Sequence, residues 1–599
     1  MLMKTTSAAT PRPPAAPRAS VAEADGRARL AAQAFDRGFH AVAARFSGGL
    51  SRISLSLAYT DWALHMVTQP ANAARLALSA QRGAQQWFSE CLAGGCVANI
   101  EGDARFADPA WHEWPFAPIA HAYREAEAWW SDASILRGMT RHHSDVMRFC
   151  ARQWLDMLSP STSWLTNPEV QRRTRERWGA NLADGFANAL DDWRVRQGLA
   201  PLQPRENAYE PGVDLAITPG RVVHRNHLCE LIQYSPQTAK VCAEPLLIIP
   251  SWILKYYILD LSPHNSLVNW LVGQGHTVFI VSWRNPDEGD ALLSMDDYLQ
   301  LGIFDTLAAI GRRIPGQAVH AAGYCLGGTL LSIAAAALAR PGQVQQAEQL
   351  AELASMTLLA AETDFTEPGE MGVLIDEAQV QLLEDMMSER GFLTGRQMAT
   401  SFQFLRPQER VWSAHMREYL LGERLLPNDL MAWNRDVTRM PAVMHSEYLH
   451  RCHLDNELAE GRYPVEGRPV SLSDLRLPVF CVATETDHVS PWHSVYKLHR
   501  LTNTEVTFVL TNGGHNAGIV SEPGHDGRRY AIHTTAFGDP WLGSQRWTDV
   551  AQKREGSWWP AWHAWLAAHS SGKVAAREVK PVGELPAAPG DYVHVKYLD

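Results

Sequence analysis

The stretch Gly323-Tyr324-Cys325-Leu326-Gly327-Gly328 separates an apolar run at residues 317–322 from an alanine-rich run at residues 329–339. The first run predicts a strand and the second a helix. In that context the stretch is typical of a nucleophile elbow, with cysteine in place of serine. Its glycines let the two backbones approach closely, and the helix N-terminus favours the thiolate over the thiol. A free cysteine packed as a small apolar residue is the alternative interpretation.

An acid and a histidine follow further along the chain, in the order that this kind of elbow requires. Asp487 comes just after a buried-strand pattern at residues 478–484, and His515 lies on a glycine-rich loop after another at residues 506–510. Because the carboxyl ends of parallel strands meet at one edge of a sheet, we expect both side chains to converge there with Cys325. A helix N-cap is the alternative role for Asp487.

Chemistry assigns a role to each of these side chains. Cys325 would attack an acyl carbon, His515 would take and return the proton, and Asp487 would orient the imidazole and stabilise its charged form. The tetrahedral oxyanion needs preorganised donors. We expect one donor to be the backbone N–H of Leu326 and a second to come from the loop after the apolar run at residues 246–250.

Strand patterns that alternate with helical stretches predict an α/β fold of the α/β-hydrolase type, with a mostly parallel sheet. A long insertion interrupts the sheet pattern and would lie above the strand ends as a lid or cap. Its apolar residues could line a channel or pack as in ordinary helices. The predicted division is a disordered segment at 1–27, a helical N-terminal domain at 28–209, a catalytic domain at 210–570 with the lid at about 365–470, and a flexible tail at 571–599.

Further motifs are spread along the chain, at residues 165–170, 250–252, 255–257, 260, 263, 282–286, 375–377, 433–434 and 556–560. Together with the cysteine elbow they resemble the polyhydroxyalkanoate synthases, of the single-subunit, class I-like type, over roughly residues 100–570. That family polymerises 3-hydroxyacyl-coenzyme A thioesters into polyester and releases coenzyme A. The resemblance implies the same reaction here, with (R)-3-hydroxybutyryl-coenzyme A as the expected substrate.

The resemblance also implies site residues and partners. The family's triad maps onto Cys325, Asp487 and His515, its elongation aspartate onto Asp260, and a tryptophan near its subunit contact onto Trp433. A helix or turn cap is the alternative role for Asp260. No cofactor is implied, because the coenzyme A thioester is the substrate. The implied partners are the growing polyester chain, the granule surface and a second copy in an active homodimer, in the cytoplasm.

Three residues depart from the family's pattern. Leu254 stands where asparagine is usual, Ser251 where a second proline is common, and Asn516 where an apolar residue is more usual. These changes leave the triad intact. They leave the preferred length of the acyl chain open.

Composition agrees with a soluble enzyme that binds no nucleic acid. The formal net charge is −11, and no uninterrupted apolar span reaches membrane length. The eight cysteines lack metal-ligand spacing, so we expect reduced thiols and no metal. The phosphates of coenzyme A would need a local basic patch, for which the candidates are Lys255, Arg284, Arg172, Arg173 and Arg175.

Both ends of the chain carry patterns of their own. Phe35, Phe39, Val42 and Phe46 recur at helical spacing, and this apolar stripe could face a partner, the polymer surface or its own core. We favour its own core. The tail lacks periodicity, although residues 593–598 could dock as a strand.

Two other functions are compatible with the same residues. A cysteine-triad thioesterase or a polyester depolymerase would use the elbow, the acid and the histidine but would release free hydroxy acid. A granule scaffold without catalysis would carry the elbow incidentally, and a Cys325→Ala variant with unchanged turnover would favour it.

Overall fold

The computed structural model describes residues 21–93, 100–197, 199–202, 209–340, 350–399, 412–424 and 427–597. Its strands begin only after residue 219. They are β1 (Gly220–Arg225), β2 (Cys229–Tyr234), β3 (Lys240–Cys242), β4 (Leu246–Ile249), β5 (Val278–Trp283), β6 (Val319–Tyr324), β7 (Leu353–Leu359), β8 (Phe392–Leu393), β9 (Met440–Pro441), β10 (Tyr463–Val465), β11 (Arg468–Val470), β12 (Val479–Thr484), β13 (Val506–Thr511), β14 (Arg529–Thr535), β15 (Gln552–Glu555) and β16 (Lys573–Ala575).

Ten of these strands form one sheet, in the order β1-β2-β5-β4-β6-β7-β12-β13-β14-β15. The central strands from β5 to β13 run parallel to one another, and antiparallel pairs continue the sheet at both edges. Strands β4, β5, β6, β12 and β13 are buried along their whole length, as in parallel sheets that are covered on both faces. The predicted α/β-hydrolase fold is confirmed.

The strands that were expected to carry the triad end where the sequence predicted. β6 ends at Tyr324, and the helix α11 (Leu326–Ala339) begins directly after Cys325. β12 ends three residues before Asp487, and β13 ends four residues before His515. The parallel pairing of β6, β7, β12 and β13 brings all three turns to one edge of the sheet.

The region before the sheet is helical. Asn167 caps the sixth of its helices, where its side-chain oxygen accepts the N–H groups of Glu169 and Val170, and Pro168 is the first helical residue, as predicted. The first helix begins at Val21, inside the segment 1–27 that was predicted to be disordered; residues 1–20 lie outside the described residues. These helices are α1 (Val21–Phe46), α2 (Arg52–Thr68), α3 (Pro70–Leu92), α4 (Phe116–Ala133), α5 (Arg141–Met157), α6 (Pro168–Glu176) and α7 (Ala180–Arg196).

The apolar stripe of α1 does not pack into a core of its own, contrary to prediction. Phe35 is 74% exposed and Phe39 is 64% exposed. The helix instead meets the lid through polar side chains, because His40 Nδ1 lies 2.8 Å from Asp385 Oδ2. The side chain of Phe46 lies outside the described residues.

Helices cover the sheet and build the lid. The lid spans the stretch between β7 and β12, and it contains π-helical turns at His415–Leu420 and Leu449–Leu454. Among the described residues, no helix is long and apolar enough to cross a membrane. The remaining α-helices are α8 (Leu267–Gly273), α9 (Met295–Asp297), α10 (Asp305–Arg313), α12 (Glu377–Met387), α13 (Asp429–Asn434), α14 (Ala442–Tyr448), α15 (Trp492–Tyr496), α16 (Leu498–Leu501), α17 (Ser544–Val550) and α18 (Trp559–Ala568).

The C-terminal tail is docked on the catalytic body, contrary to the predicted flexible segment. β16 pairs with β3, and Val222 N–H donates to the carbonyl of Pro586 at 3.0 Å. Val593 is fully buried in a 3₁₀ turn, Tyr592–His594, so the end of the tail does not dock as a strand. Residue 598 lies outside the described residues. Hydrogen bonds between the backbone of the tail and the backbone of the catalytic body hold the tail in place. Backbone contacts of this kind need no periodic side-chain pattern, so the sequence did not indicate them.

Candidate active site

The turn at Cys325 has the strained geometry of a nucleophile elbow. Cys325 has φ 52° and ψ −125°, and its N–H donates to the carbonyl of Leu359 on β7 at 2.9 Å. Close packing of the backbone leaves no room for a side chain at the flanking glycines. A Cβ added at Gly323 would lie 2.3 Å from the Cα of Gly328, and one added at Gly327 would lie 2.1 Å from the carbonyl oxygen of Ile249. The sequence therefore holds the cysteine at the tip of a turn that larger residues would open.

The backbone around the elbow offers donors for an oxyanion. The N–H of Leu326 is the first of α11 and donates to no acceptor among the described residues. The loop after β4 lies directly against this helix start, since a Cβ at Gly327 would also meet the carbonyl of Pro250 at 2.6 Å. In that loop the N–H of Ile253 already donates to Ser251 Oγ at 3.3 Å. The N–H groups of Ser251 and Trp252 donate to no acceptor among the described residues, so they are the candidates for a second donor.

Asp487 and His515 form the expected pair. The Nδ1–H of His515 donates to Asp487 Oδ2 at 2.7 Å, and the carboxylate side chain is fully buried. Its other oxygen accepts the backbone N–H groups of Val489 at 2.8 Å and Ser490 at 2.9 Å. This arrangement fixes the carboxylate and leaves Nε2 of the imidazole for the reacting groups.

Charge and burial tune this pair. Burial alone would raise the pKa of Asp487, but the charge and hydrogen bond of His515 and the two backbone N–H groups lower it overall. Burial alone would lower the pKa of His515, but the charges of Asp487 and Cys325 and hydrogen bonding to both raise it well above its usual value. The parallel strands place the turn of Cys325 at the same sheet edge as this pair, which is where the sequence predicted the three side chains to meet.

Asn516, the departure beside the histidine, has a defined partner. Tyr324 donates its hydroxyl to Asn516 Oδ1 at 2.7 Å, and the Tyr324 ring lies 5.7 Å from the His515 ring. Asn516 Nδ2 reaches Asn434 of the lid at 3.4 Å. The polar residue at this position thus connects the elbow strand, the histidine loop and the lid.

Glu362 is a site residue that the sequence analysis missed. It follows β7, its backbone carbonyl accepts the hydroxyl of Thr329 at 2.8 Å, and its side-chain Oε1 has no hydrogen-bond partner among the described residues. Burial raises the pKa of Glu362 well above its usual value, and the charges of Asp487 and Cys325 raise it further. A buried carboxyl therefore lies within electrostatic reach of Asp487 and Cys325. A lone glutamate after a strand gave no signal for it.

Asp260 lies in a separate interior cluster. Its carboxylate accepts hydroxyl groups from Thr218, Ser266 at 2.7 Å and Tyr234 at 3.1 Å, and the residue is 1% exposed. Burial raises its pKa, although the three hydroxyl groups act in the opposite direction. Asp260 is not itself a cap; it holds Ser266, the N-cap of α8.

Trp433 packs inside this chain. It is 2% exposed, and its Nε1–H donates to the carbonyl of Lys255 at 2.7 Å. Nearby, Thr438 N–H donates to the carbonyl of Ile253 at 2.9 Å, so this part of the lid is bound to the loop after β4. A dimer contact through the Trp433 ring would require the ring to leave this position.

The cations expected to bind phosphate are engaged elsewhere. The ammonium group of Lys255 donates to the carbonyls of Tyr592 at 3.1 Å and Val595 at 2.9 Å, and burial lowers its pKa to about 8. Arg284 pairs with Asp287 and Asp290, and Arg172 pairs with Asp108 at 2.6 Å. Arg173 and Arg175 lie with Arg172 on α6, in the helical region.

Comparisons with known proteins give consistent matches. The family model described as "Poly-beta-hydroxybutyrate polymerase (PhaC) N-terminus" matches residues 102–271. A second, "Poly-beta-hydroxybutyrate polymerase N terminal", matches residues 30–72, and the α/β-hydrolase fold model matches residues 244–522. The matches cover the helical region as well as the sheet.

Curated relatives are similar over most of their length. A poly(3-hydroxyalkanoate) polymerase of Methylorubrum extorquens is 39% identical over 82% of this chain and 81% of its own. Poly(3-hydroxyalkanoate) polymerase subunits of Rhizobium meliloti (38%, 84% of this chain and 82% of its own) and Cupriavidus necator (37%, 82% and 83%) are similar to it in the same way.

Proposed function

Since the chain belongs to the poly(3-hydroxyalkanoate) polymerase family, acyltransferases with an α/β-hydrolase fold, we propose that it polymerises (R)-3-hydroxyacyl thioesters of coenzyme A through an acyl thioester on Cys325. The observation that carries the proposal is the pair of His515 and buried Asp487 beside a cysteine on a nucleophile elbow. The expected substrate is 3-hydroxybutyryl-coenzyme A.

The first half-reaction loads the enzyme. The sulfur of Cys325 attacks the thioester carbon, and the Leu326 N–H with a loop N–H stabilises the oxyanion. The bond to the coenzyme A sulfur then breaks, and the imidazolium of His515 gives its proton to the departing thiolate. One thioester replaces another, so the acyl group keeps its activation. An oxygen ester on serine would be less reactive toward the next acceptor.

The second half-reaction extends the chain. The 3-hydroxyl of another acyl unit attacks the acylated Cys325, His515 takes the hydroxyl proton, and the carbon–sulfur bond breaks as the ester forms. Acylation of Cys325 removes one of the two groups whose charges raise the pKa of His515. The imidazole is therefore more easily neutral when it has to act as a base. One histidine thus serves both steps.

We propose that the enzyme works as a homodimer in the cytoplasm, on the surface of the polyester granule. The many exposed apolar side chains of the first helices support granule association, because apolar surface is stabilised when another apolar surface covers it. Examples are Leu64 (61% exposed) and Val67 (79% exposed) on α2, besides Phe35 and Phe39 on α1.

Product analysis tests the proposal. Purified protein is given 3-hydroxybutyryl-coenzyme A, and free thiol and chloroform-soluble polymer are measured together, with Cys325→Ala as the control. We expect thiol release with polymer, both lost in the variant. Thiol release with free hydroxy acid alone would show a thioesterase instead, and unchanged turnover in Cys325→Ala would show that the elbow is incidental.

A further inference from the structure

A cavity of about 980 Å³ opens where the helical region, the lid and the loop after Asp487 meet. Its lining includes Arg141 from α5, Glu367 from the start of the lid, Lys497 and Arg500 beside α16, and the ring of Trp541. This volume is that of a pocket for a sizeable small molecule. None of the residues described above for the chemical steps lines it.

We propose that this cavity binds the nucleotide end of the acyl-coenzyme A substrate, with the adenine on Trp541 and the phosphates on Arg500, Lys497 and Arg141. The proposal rests on the proposed function, because it assigns a place to the part of that substrate that does not react.

The charges of the cavity favour an anion. Arg141 lies 2.8 Å and Lys497 3.0 Å from Glu367, and Lys497 also lies 3.7 Å from Asp364, so these two cations face two carboxylates. Arg500 forms no ion pair with any described residue. Asp145, the second carboxylate of the lining, lies 3.5 Å from Arg148, which is not part of it. A local excess of positive charge on a chain of net charge −11 is the feature that phosphate binding needs.

The aromatic part favours a planar base. Trp541 is 54% exposed, and the guanidinium of Arg500 lies 5.5 Å from its ring centroid. Bases stack on aromatic rings and guanidinium planes of this kind. Adenine could therefore stack on the exposed ring of Trp541, and a phosphate could bind the adjacent guanidinium of Arg500, which has no acidic partner among the described residues.

Two chain segments connect the cavity with the triad. His493 in the lining is six residues after Asp487, so their Cα atoms are at most about 22 Å apart. The segment from Leu359 to Glu370 starts at the elbow, where it accepts the N–H of Cys325, and ends where Glu370 N–H donates to the carbonyl of His488 at 3.0 Å. The pantetheine arm separates the nucleotide from the thioester, so a nucleotide site beside the acid loop is compatible with the length of the substrate. Lys255 and Arg284, two of the cations that the sequence analysis offered, do not line the cavity.

Binding and kinetics test the assignment on the full chain. Calorimetry with adenosine 3′,5′-bisphosphate, coenzyme A and pantetheine is done on the wild type, Arg500→Ala, Trp541→Ala and the control Arg312→Ala, which removes an exposed arginine from α10. We expect Arg500→Ala and Trp541→Ala each to weaken the binding of the bisphosphate and of coenzyme A about tenfold. The first variant loses a charge-assisted contact, and the second loses a stacked base. The control and the binding of pantetheine should not change.

Kinetic measurements on two thioester substrates distinguish failure of the nucleotide site from failure of the proposed polymerase function. KM for 3-hydroxybutyryl-coenzyme A should rise in Arg500→Ala with kcat unchanged, while KM for 3-hydroxybutyryl-pantetheine stays at the wild-type value. Equal effects on both thioesters, or a wild type that does not bind the bisphosphate, would overturn the nucleotide site. A wild type that binds the bisphosphate through Arg500 but turns over neither thioester would uphold the site and reject the polymerase proposal.

Discussion

Two buried aspartates in this chain have opposite environments. Asp487, at the edge of the sheet, faces the imidazole of His515 and two backbone N–H groups, and its pKa is lowered despite burial. Asp260, beside the N-cap of α8, faces the hydroxyl groups of Thr218, Ser266 and Tyr234 and the backbone of Thr218, and burial raises its pKa. Burial is common to both sites, so the partners decide whether a carboxylate is held charged for use or held as part of the interior. The first site can stabilise an imidazolium; the second surrounds its carboxylate with neutral donors.

The largest effect is expected from Asp487→Asn. The amide no longer stabilises the imidazolium or enforces its tautomer, so release of coenzyme A should fall by about 10⁴-fold, as in other Asp-His pairs of this type. Thiol release is measured under single-turnover conditions, with thermal unfolding as the control for the fold. A loss smaller than tenfold with intact structure would remove Asp487 from the triad.

Asp260→Asn should act on stability instead. The amide leaves part of the Thr218, Ser266 and Tyr234 hydroxyl cluster unpaired, which should lower the free energy of unfolding by about 1–3 kcal/mol. Coenzyme A release per folded molecule and polymer length should stay at wild-type values. Shorter polymer from a variant of unchanged stability would support instead the elongation role that the family resemblance implies for Asp260.

The ion pair itself should make stability depend on pH. Because the pKa of His515 is raised in the folded state, protonated His515 contributes its full stabilisation below about pH 6.5. That contribution is lost as the pH rises through the raised pKa. Because the pKa of Asp487 is lowered in the folded state, ionised Asp487 contributes its full stabilisation above about pH 3.8. That contribution is lost as the pH falls through the lowered pKa. The difference in melting temperature between wild type and His515→Asn should therefore be larger at pH 5.5 than at pH 9.5. A difference that grows with pH would contradict this account.

Glu362→Gln should have the smallest effect. Burial raises the pKa of Glu362, and glutamine keeps the shape of the protonated carboxyl without adding a charge. Coenzyme A release should change by less than about threefold, which corresponds to well under 1.4 kcal/mol. A loss comparable with that of Asp487→Asn would show that Glu362 acts as a charged group, and would extend the comparison to a third carboxylate.

The sequence predicted the site residues that depend on local pattern and chain order. Gly323, Gly327 and Gly328 are required by backbone approach within a few residues, and each strand end carries its reactive residue directly after it. Such features can be recognised without knowledge of distant contacts. The sheet and the meeting of Cys325, Asp487 and His515 followed from them.

Features that depend on distant contacts were missed. The interior position of Asp260 is set by Thr218 and Tyr234 from other elements, and Lys255 is held by tail carbonyls more than 330 residues away. Carbonyl acceptors are available at every residue, so no sequence pattern marks them. The exposure of Phe35 and Phe39 was missed for the opposite reason: helical spacing shows that a stripe is apolar but not what covers it.

The central claim is a covalent acyl group on Cys325. Brief incubation with radiolabelled 3-hydroxybutyryl-coenzyme A, acid quenching, proteolysis and mass spectrometry would locate the label. We predict a hydroxylamine-sensitive thioester on the peptide that contains Cys325 in the wild type, strongly reduced in Asp487→Asn because acylation is slowed, and absent from Cys325→Ala. Label on another residue, or polymer formed by Cys325→Ala, would contradict the account.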